Sequence, residues 1–216
     1  MPLVPRSRLI VALDLMDGYE ALSIAEKLGG IADAIKVNYP LILSAGLDII
    51  KDLKKHGNVV ADFKVADIPN TNSLICAQAF KAGADAIICH GFAGSDSVKA
   101  CIDEASKYGC EAYVVTEMSH PGAVEFLQPH AFELVELARR AGASGIIAPA
   151  TRPERLADIR RKAGKMKILA PGVGAQGGEA RRAIDAGADF IIVGRGIYGA
   201  DDPYEAALEF IEQLRR

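Results

Sequence analysis

The chain lacks a charge excess, a zinc-finger cysteine pattern and a membrane-length apolar run, and each absence removes a class of function. Its 216 residues carry a formal net charge of −3 at pH 7, too mild a field to hold nucleic acid or an anionic membrane. Any anionic ligand must then be gripped by a local site. The four cysteines, Cys76, Cys89, Cys101 and Cys110, have no C-x-x-C spacing and no histidine at zinc-finger distance. They read as free, mostly buried thiols of a reducing cytosol, which predicts a cytoplasmic protein. No apolar stretch approaches a membrane span, and nothing at the start reads as a signal peptide. The opening "MPLVPRS" has a passing likeness to a protease-cleavage tag and reads equally well as native sequence.

What is present is an ordinary globular composition, 50% hydrophobic and 25% charged. The length suits one domain over residues 1–216 with one substantial core. Apolar runs rich in Ile, Val and Ala recur eight times: "LIVALDL" (9–15), "ADAIKVN" (32–38), "NVVADFK" (58–64), "ADAIICHG" (84–91), "AYVVTEMS" (112–119), "SGIIAPA" (144–150), "KILAPGV" (167–173) and "DFIIVGR" (189–195). Near-continuous hydrophobicity is expected of strands covered on both faces. Helical patterns lie between them. Ala21, Ile24, Ala25 and Leu28 form one core-facing stripe, and Asp202 with Pro203 reads as the N-cap and first turn of a last helix.

Three helix-to-strand junctions are near copies: "KAGADAIICHG", "RAGASGIIAPA" and "DAGADFIIVGR". Each sets a glycine just past a helix, where a left-handed cap costs least, and then a buried strand. Eight such units of about 27 residues predict a (β/α)8 barrel with little loop decoration. An open doubly wound sheet is the alternative, but it normally has fewer strands.

A barrel places its chemistry at the C-terminal strand ends. Those ends carry Asp14, Lys36, Asp62 with Lys64, His90, Glu117 to His120, Pro149, Pro171 to Gly178, and Gly194 with Arg195. Strand side chains alternate, so Asp62 and Lys64 point together into the mouth while Phe63 faces the helices. Lys36 ends the neighbouring strand, and Asp67 lies beyond the third strand. Together they predict an array of alternating sign: Lys36, Asp62, Lys64, Asp67. Each charge keeps its neighbours ionised, so Lys64 reads as a standing proton donor and not as a neutral Schiff-base amine. A magnesium ion would have to displace a lysine, which predicts a site without metal. A purely structural salt-bridge network is the competing explanation, but four charges are costly to desolvate for little net stability.

"PGVGAQGG" (171–178) satisfies G-x-G-x-x-G, yet it follows the seventh strand, where barrels hold phosphate rather than dinucleotides. Gln176 from this loop and the Arg195 guanidinium are suited to phosphate oxygens. In "TEMSHPGA" (116–123) Ser119 reads as a binder of a base or carbonyl, while His120 and His90 read as structural.

These segments, with "ALDLMD", "AIKVN", "ADFKVADIPNTN", "ATRPERL" (150–156) and "IIVGRGIY" in the same order, resemble the orotidine 5′-phosphate decarboxylases in the shorter form typical of archaea. The likeness spans nearly the whole chain, and the family's D-x-K-x-x-D stands as Asp62, Lys64 and Asp67. It implies loss of CO2 from C6 of orotidine 5′-monophosphate to give UMP, with no cofactor. It also implies roles. Lys64 protonates C6, Asp62 sits against the departing carboxylate, and Lys36 orients Asp62 and contacts the ribose. Asp14 takes a ribose hydroxyl, Ser119 reads the pyrimidine, Pro171 lines the site, and Gln176, Arg195 and the Gly194 backbone bind phosphate. Asp67 and Thr71 reach a neighbouring subunit's site, which implies a homodimer. The 3-keto-gulonate-6-phosphate decarboxylases and hexulose-phosphate synthases share the D-x-K-x-x-D stretch. They use Mg2+ and have an acidic residue where this chain has Lys36. A non-catalytic phosphate-binding barrel is a third reading, which predicts that the charged array tolerates substitution.

Overall fold

The computed structural model describes residues 2–215. Eight parallel strands close into a barrel in chain order. They are β1 (Leu9–Leu13), β2 (Ala34–Val37), β3 (Asn58–Val65), β4 (Ala86–His90), β5 (Glu111–Val115), β6 (Gly145–Ile147), β7 (Lys167–Pro171) and β8 (Phe190–Val193). The barrel shuts where Leu9 of β1 aligns with Ile191 of β8, which excludes the open sheet. The helices are α1 (Gly18–Leu28), α2 (Tyr39–Ala45), α3 (Ile49–Leu53), α4 (Pro69–Lys81) and α5 (Ser95–Lys107). They continue with α6 (Ala123–Ala141), α7 (Pro153–Ala163), α8 (Ala180–Asp185), α9 (Arg195–Tyr198) and α10 (Pro203–Arg215).

Strand alternation divides the core into two layers. Ile10 and Ala12 join a cluster inside the barrel with Val60, Ile88, Val115 and Ile192. Leu9, Val11 and Leu13 join the larger cluster between strands and helices. The α1 stripe of Ala21, Ile24, Ala25 and Leu28 is buried as its spacing predicts, and Asp17 caps that helix by accepting from the Tyr19 N–H at 2.8 Å. Asp202 caps α10 in the same way, accepting from Tyr204 N–H at 2.9 Å. The repeated junction glycines Gly83, Gly142 and Gly187 all have positive φ, between 81° and 110°, as a left-handed cap requires. Cys76, Cys89 and Cys101 are buried and Cys110 half-buried, all as free thiols.

The N-terminal end of the barrel is plugged by Leu3 of the tag-like opening segment. Leu3 is buried in the interior cluster, and its N–H donates to Glu111 Oε2 at 2.8 Å. Tyr113 Oη donates to the same oxygen, and Lys167 Nζ donates to Glu111 Oε1 at 2.6 Å. The C-terminal mouth stays open. Several strands stop short of the apolar runs, since residues 116–119 and 148–150 belong to mouth loops. The β2–β3 connection holds two helices, α2 and α3, and a short helix, α9, starts at Arg195.

One irregularity bears on the mouth. Ala61 pairs with Ile87 and Val65 with Cys89, so β3 carries two extra residues relative to β4. An even excess preserves alternation, whereas a single inserted residue would turn the following side chains to the other face. Asp62 and Lys64 therefore both face the mouth, while Phe63 and Val65 pack toward the helices.

Candidate active site

Four charged groups from three adjacent strands form one chain across the mouth. Lys36 Nζ lies 3.1 Å from Asp14 Oδ1 and 3.0 Å from Asp62 Oδ2. Lys64 Nζ donates to both Asp62 oxygens at 2.9 Å. Lys36 is 5% exposed and Asp62 6%. Burial alone would push the Lys36 ammonium toward neutrality, but the Asp62 and Asp14 carboxylates override it and hold its pKa above the ordinary lysine value. Burial likewise pushes the Asp62 carboxyl up, and the Lys36 and Lys64 ammonium groups more than offset that, leaving it below the usual carboxylate range.

Asp67, the other expected member, does not join the array of its own chain. Asp67 is exposed, and its carboxylate accepts from the neighbouring Ile68 N–H at 2.7 Å instead of meeting Lys64. Asp14 completes the alternation within the chain. The reason is local: the Asp67 backbone is pinned away from the mouth. Its N–H donates to Asn72 Oδ1 at 3.0 Å, and its carbonyl accepts from Ser97 Oγ at 3.0 Å. Asn72 is fully buried and donates to Ser97 Oγ at 2.7 Å. Sequence patterning gave Asn72 no role, because nothing local reveals that its amide joins α4 to the start of α5. Thr71, half-buried on α4, also lies outside the cavity lining.

A cavity of about 1110 Å³ gathers the rest of the expected site. Asp14, Lys36, Asp62 and Lys64 line it together with Ser119, Pro171, Gln176, Gly194 and Arg195. The glycine-rich loop after β7 folds on itself, with Gly178 N–H donating to Gly172 O at 3.0 Å and Gly174 N–H to Gly178 O at 2.9 Å. Gly172 has φ of 100°, and a Cβ there would meet Thr151 Cγ2 at 2.9 Å and Ser119 Cβ at 3.0 Å. Glycine is thus what lets the β7 loop close on the β5 loop that carries Ser119.

That second loop is anchored by residues to which the sequence alone assigned no role. Glu117, fully buried, accepts from Arg152 Nη1 at 2.9 Å, Arg155 Nε at 3.0 Å and Gln128 Nε2 at 3.1 Å. Arg152 also donates to the carbonyls of Met118 and His120, and Thr151 Oγ1 to that of Ser119 at 3.4 Å. The "ATRPERL" segment supplies Thr151, Arg152 and Arg155, and only their reach across to the β5 loop reveals the purpose. His120 lines the cavity. His90 sits at the end of β4 against Phe92, ring centroids 4.6 Å apart. Burial and the nearby Lys64 ammonium push its pKa down to about 4, so it is neutral at pH 7.

Among the described residues no three His, Cys, Asp or Glu side chains are grouped to hold a metal ion. Nor, among them, is any helix long and apolar enough to cross a membrane.

The chain is similar to known proteins over nearly its whole length. Residues 7–210 match the sequence profile of the orotidine 5′-phosphate decarboxylase / HUMPS family. The orotidine 5′-phosphate decarboxylase of Methanosarcina mazei is 58% identical over 208 residues, covering 96% of this chain and 94% of that protein. That of Thermococcus kodakarensis is 53% identical over 211 residues, with 96% and 97% covered. Among solved structures, orotidine 5′-monophosphate decarboxylase from Methanocaldococcus jannaschii, complexed with inhibitor BMP, superposes with a TM-score of 0.92 at 48% identity. The match covers 96% of this chain and 98% of that one.

Proposed function

The chain belongs to the orotidine 5′-phosphate decarboxylase / HUMPS family, and from that premise we propose that it converts orotidine 5′-monophosphate to UMP and CO2, without a cofactor and with Lys64 as proton donor. The observation that carries the reading is the Asp14–Lys36–Asp62–Lys64 chain in the barrel mouth. Breaking the bond between C6 and the carboxylate leaves its electron pair on C6 as CO2 departs. No electron sink is at hand in the ring, so a fixed cation must stabilise that charge. Lys64 supplies the charge and then the proton, forming the C6–H bond of UMP. Asp62, held by two ammonium groups, faces the carboxylate that leaves. Lys36 fixes Asp62 and reaches the ribose, and Asp14 takes a ribose hydroxyl.

Ser119 reads the pyrimidine, Pro171 borders it, and Gln176, Arg195 and the Gly194 backbone hold the phosphate. Phosphate binding remote from C6 contributes energy realised on closure of the glycine-rich loop. The relatives that are orotidine 5′-phosphate decarboxylases by name support this reading over the sugar-phosphate branch of the family. So does Lys36, whose ammonium stands where those metal-using enzymes have an acidic residue and would repel Mg2+.

The working unit in this reading is a homodimer in which Asp67 and Thr71 complete the partner's site. Asp67 is held outward and rigid by Asn72 and Ser97. Leu43 on α2, Leu74 on α4, and Ile68 and Phe92 after β3 and β4 are exposed, apolar side chains suited to burial against another copy. The four free thiols suit a reducing cytoplasm.

The proton-donor role is tested by Lys64→Ala. Turnover of orotidine 5′-monophosphate should be lost while UMP binding and the thermal midpoint are kept. Near-normal turnover removes Lys64 from the mechanism.

A further inference from the structure

Lys64 has an unusual backbone. Its φ is 42°, in the left-handed region where a residue with a Cβ is crowded. Such a conformation persists only where its surroundings impose it. The β3 segment here lies beyond Ala61, the last residue aligned with β2, and inside the irregular stretch facing β4. The Phe63 carbonyl is taken up by a side chain instead: Tyr39 Oη donates to it. The Tyr39 and Phe63 rings also stack, with centroids 5.8 Å apart and planes 18° from parallel. Tyr39 opens α2 directly after its cap, Asn38, three residues beyond Lys36.

We infer that Tyr39 is a positioning residue for this site: its hydroxyl fixes the Phe63–Lys64 peptide plane and thereby aims the Lys64 ammonium. The φ of Lys64 is a rotation measured from that plane. A plane free to turn lets Lys64 relax toward an ordinary strand conformation and swing Nζ away from Asp62. The same bond ties the loop after β2, which follows Lys36, to the end of β3, so both cations of the array are referenced to one another. Burial and then the Asp62 charge raise the tyrosine's pKa, so the hydroxyl keeps its proton for donation. Tyr39 is 48% exposed, and phenylalanine would keep the ring stack, so core packing alone does not account for the hydroxyl.

The inference rests on the decarboxylase reading, and Tyr39→Phe tests it by removing one oxygen. The kcat for orotidine 5′-monophosphate should fall about 10- to 100-fold, as a small misplacement of a reacting group does, while the UMP Kd and the thermal midpoint stay near wild type. An unchanged kcat overturns the role. So does a parallel loss of kcat, UMP binding and thermal midpoint, which marks general disruption. A crystal structure of the variant reads the geometry without turnover. Lys64 should leave positive φ and its Nζ should separate from Asp62, and an unmoved Lys64 overturns the inference. If the wild-type protein does not turn over the substrate, the decarboxylase reading falls, and the crystal structure still decides whether Tyr39 sets Lys64.

Discussion

At the residue scale the mouth is a problem of keeping charges charged. Lys36 and Asp62 are almost wholly buried, and each stays ionised because of its partners, Asp62 and Asp14 for Lys36, Lys36 and Lys64 for Asp62. Asp62 has a lowered pKa, so its contribution to stability is present above the unfolded value of 3.8 and fades as pH falls through the folded one. Lys36 has a raised pKa, so its contribution is complete below 10.5 and fades as pH rises through the folded value. The Lys36–Asp62 pair is thus charged across neutral pH. His90 behaves differently. Its folded pKa of about 4 lies below the ordinary histidine value of 6.5, so between those values the unfolded chain binds more protons and stability rises with pH. The shift corresponds to about 3 kcal/mol at most, and solvent screening of the half-buried ring trims it to about 2 kcal/mol. Urea unfolding at pH 7 and pH 4.5 should show His90→Gln losing less stability on acidification than the wild type. Equal losses would remove His90 as the source.

At the scale of elements, strand ends do the placing and loops do the holding. The apolar runs and their period-2 alternation made Asp14, Lys36, Asp62 and Lys64 readable in the sequence, because a barrel sends one strand end after another into the same mouth. The two-residue excess in β3 was not readable, since it exists only relative to β4. The direction of Asp67 was unreadable for a related reason: it is set by Asn72 and Ser97, and Ser97 lies 30 residues away. The Glu117 cluster joins residues up to 38 apart, beyond any periodicity. It binds the β5 loop to α6 and α7 through one buried carboxylate and two guanidinium groups. Glu117→Ala leaves both guanidinium groups without their carboxylate and should cost about 3–5 kcal/mol in urea unfolding, with weaker substrate binding as the Ser119 loop loosens. A loss below about 1 kcal/mol, the level of an exposed pair, would show that the cluster is not an anchor.

At the scale of the whole molecule, one barrel end is sealed by Leu3 and the Glu111 cluster, and the other is left for chemistry. A single chain does not bring Asp67 to the cavity, which is why the proposed active unit has two copies. Lys64→Ala and Asp67→Ala homodimers should each be severely impaired. In mixed dimers one of the two sites regains both residues, so an equal mixture should recover about a quarter of wild-type activity, as a symmetric two-site assembly requires. No recovery on mixing would place Asp67 in the site of its own chain or outside the mechanism. The central claim, a decarboxylase that needs no metal, is tested most directly by the ultraviolet absorbance of orotidine 5′-monophosphate incubated with the purified protein in excess EDTA. The spectrum should move to that of UMP. An unchanged spectrum, with turnover of a sugar phosphate only after Mg2+ is restored, would contradict the claim and return the chain to the metal-using branch of its family.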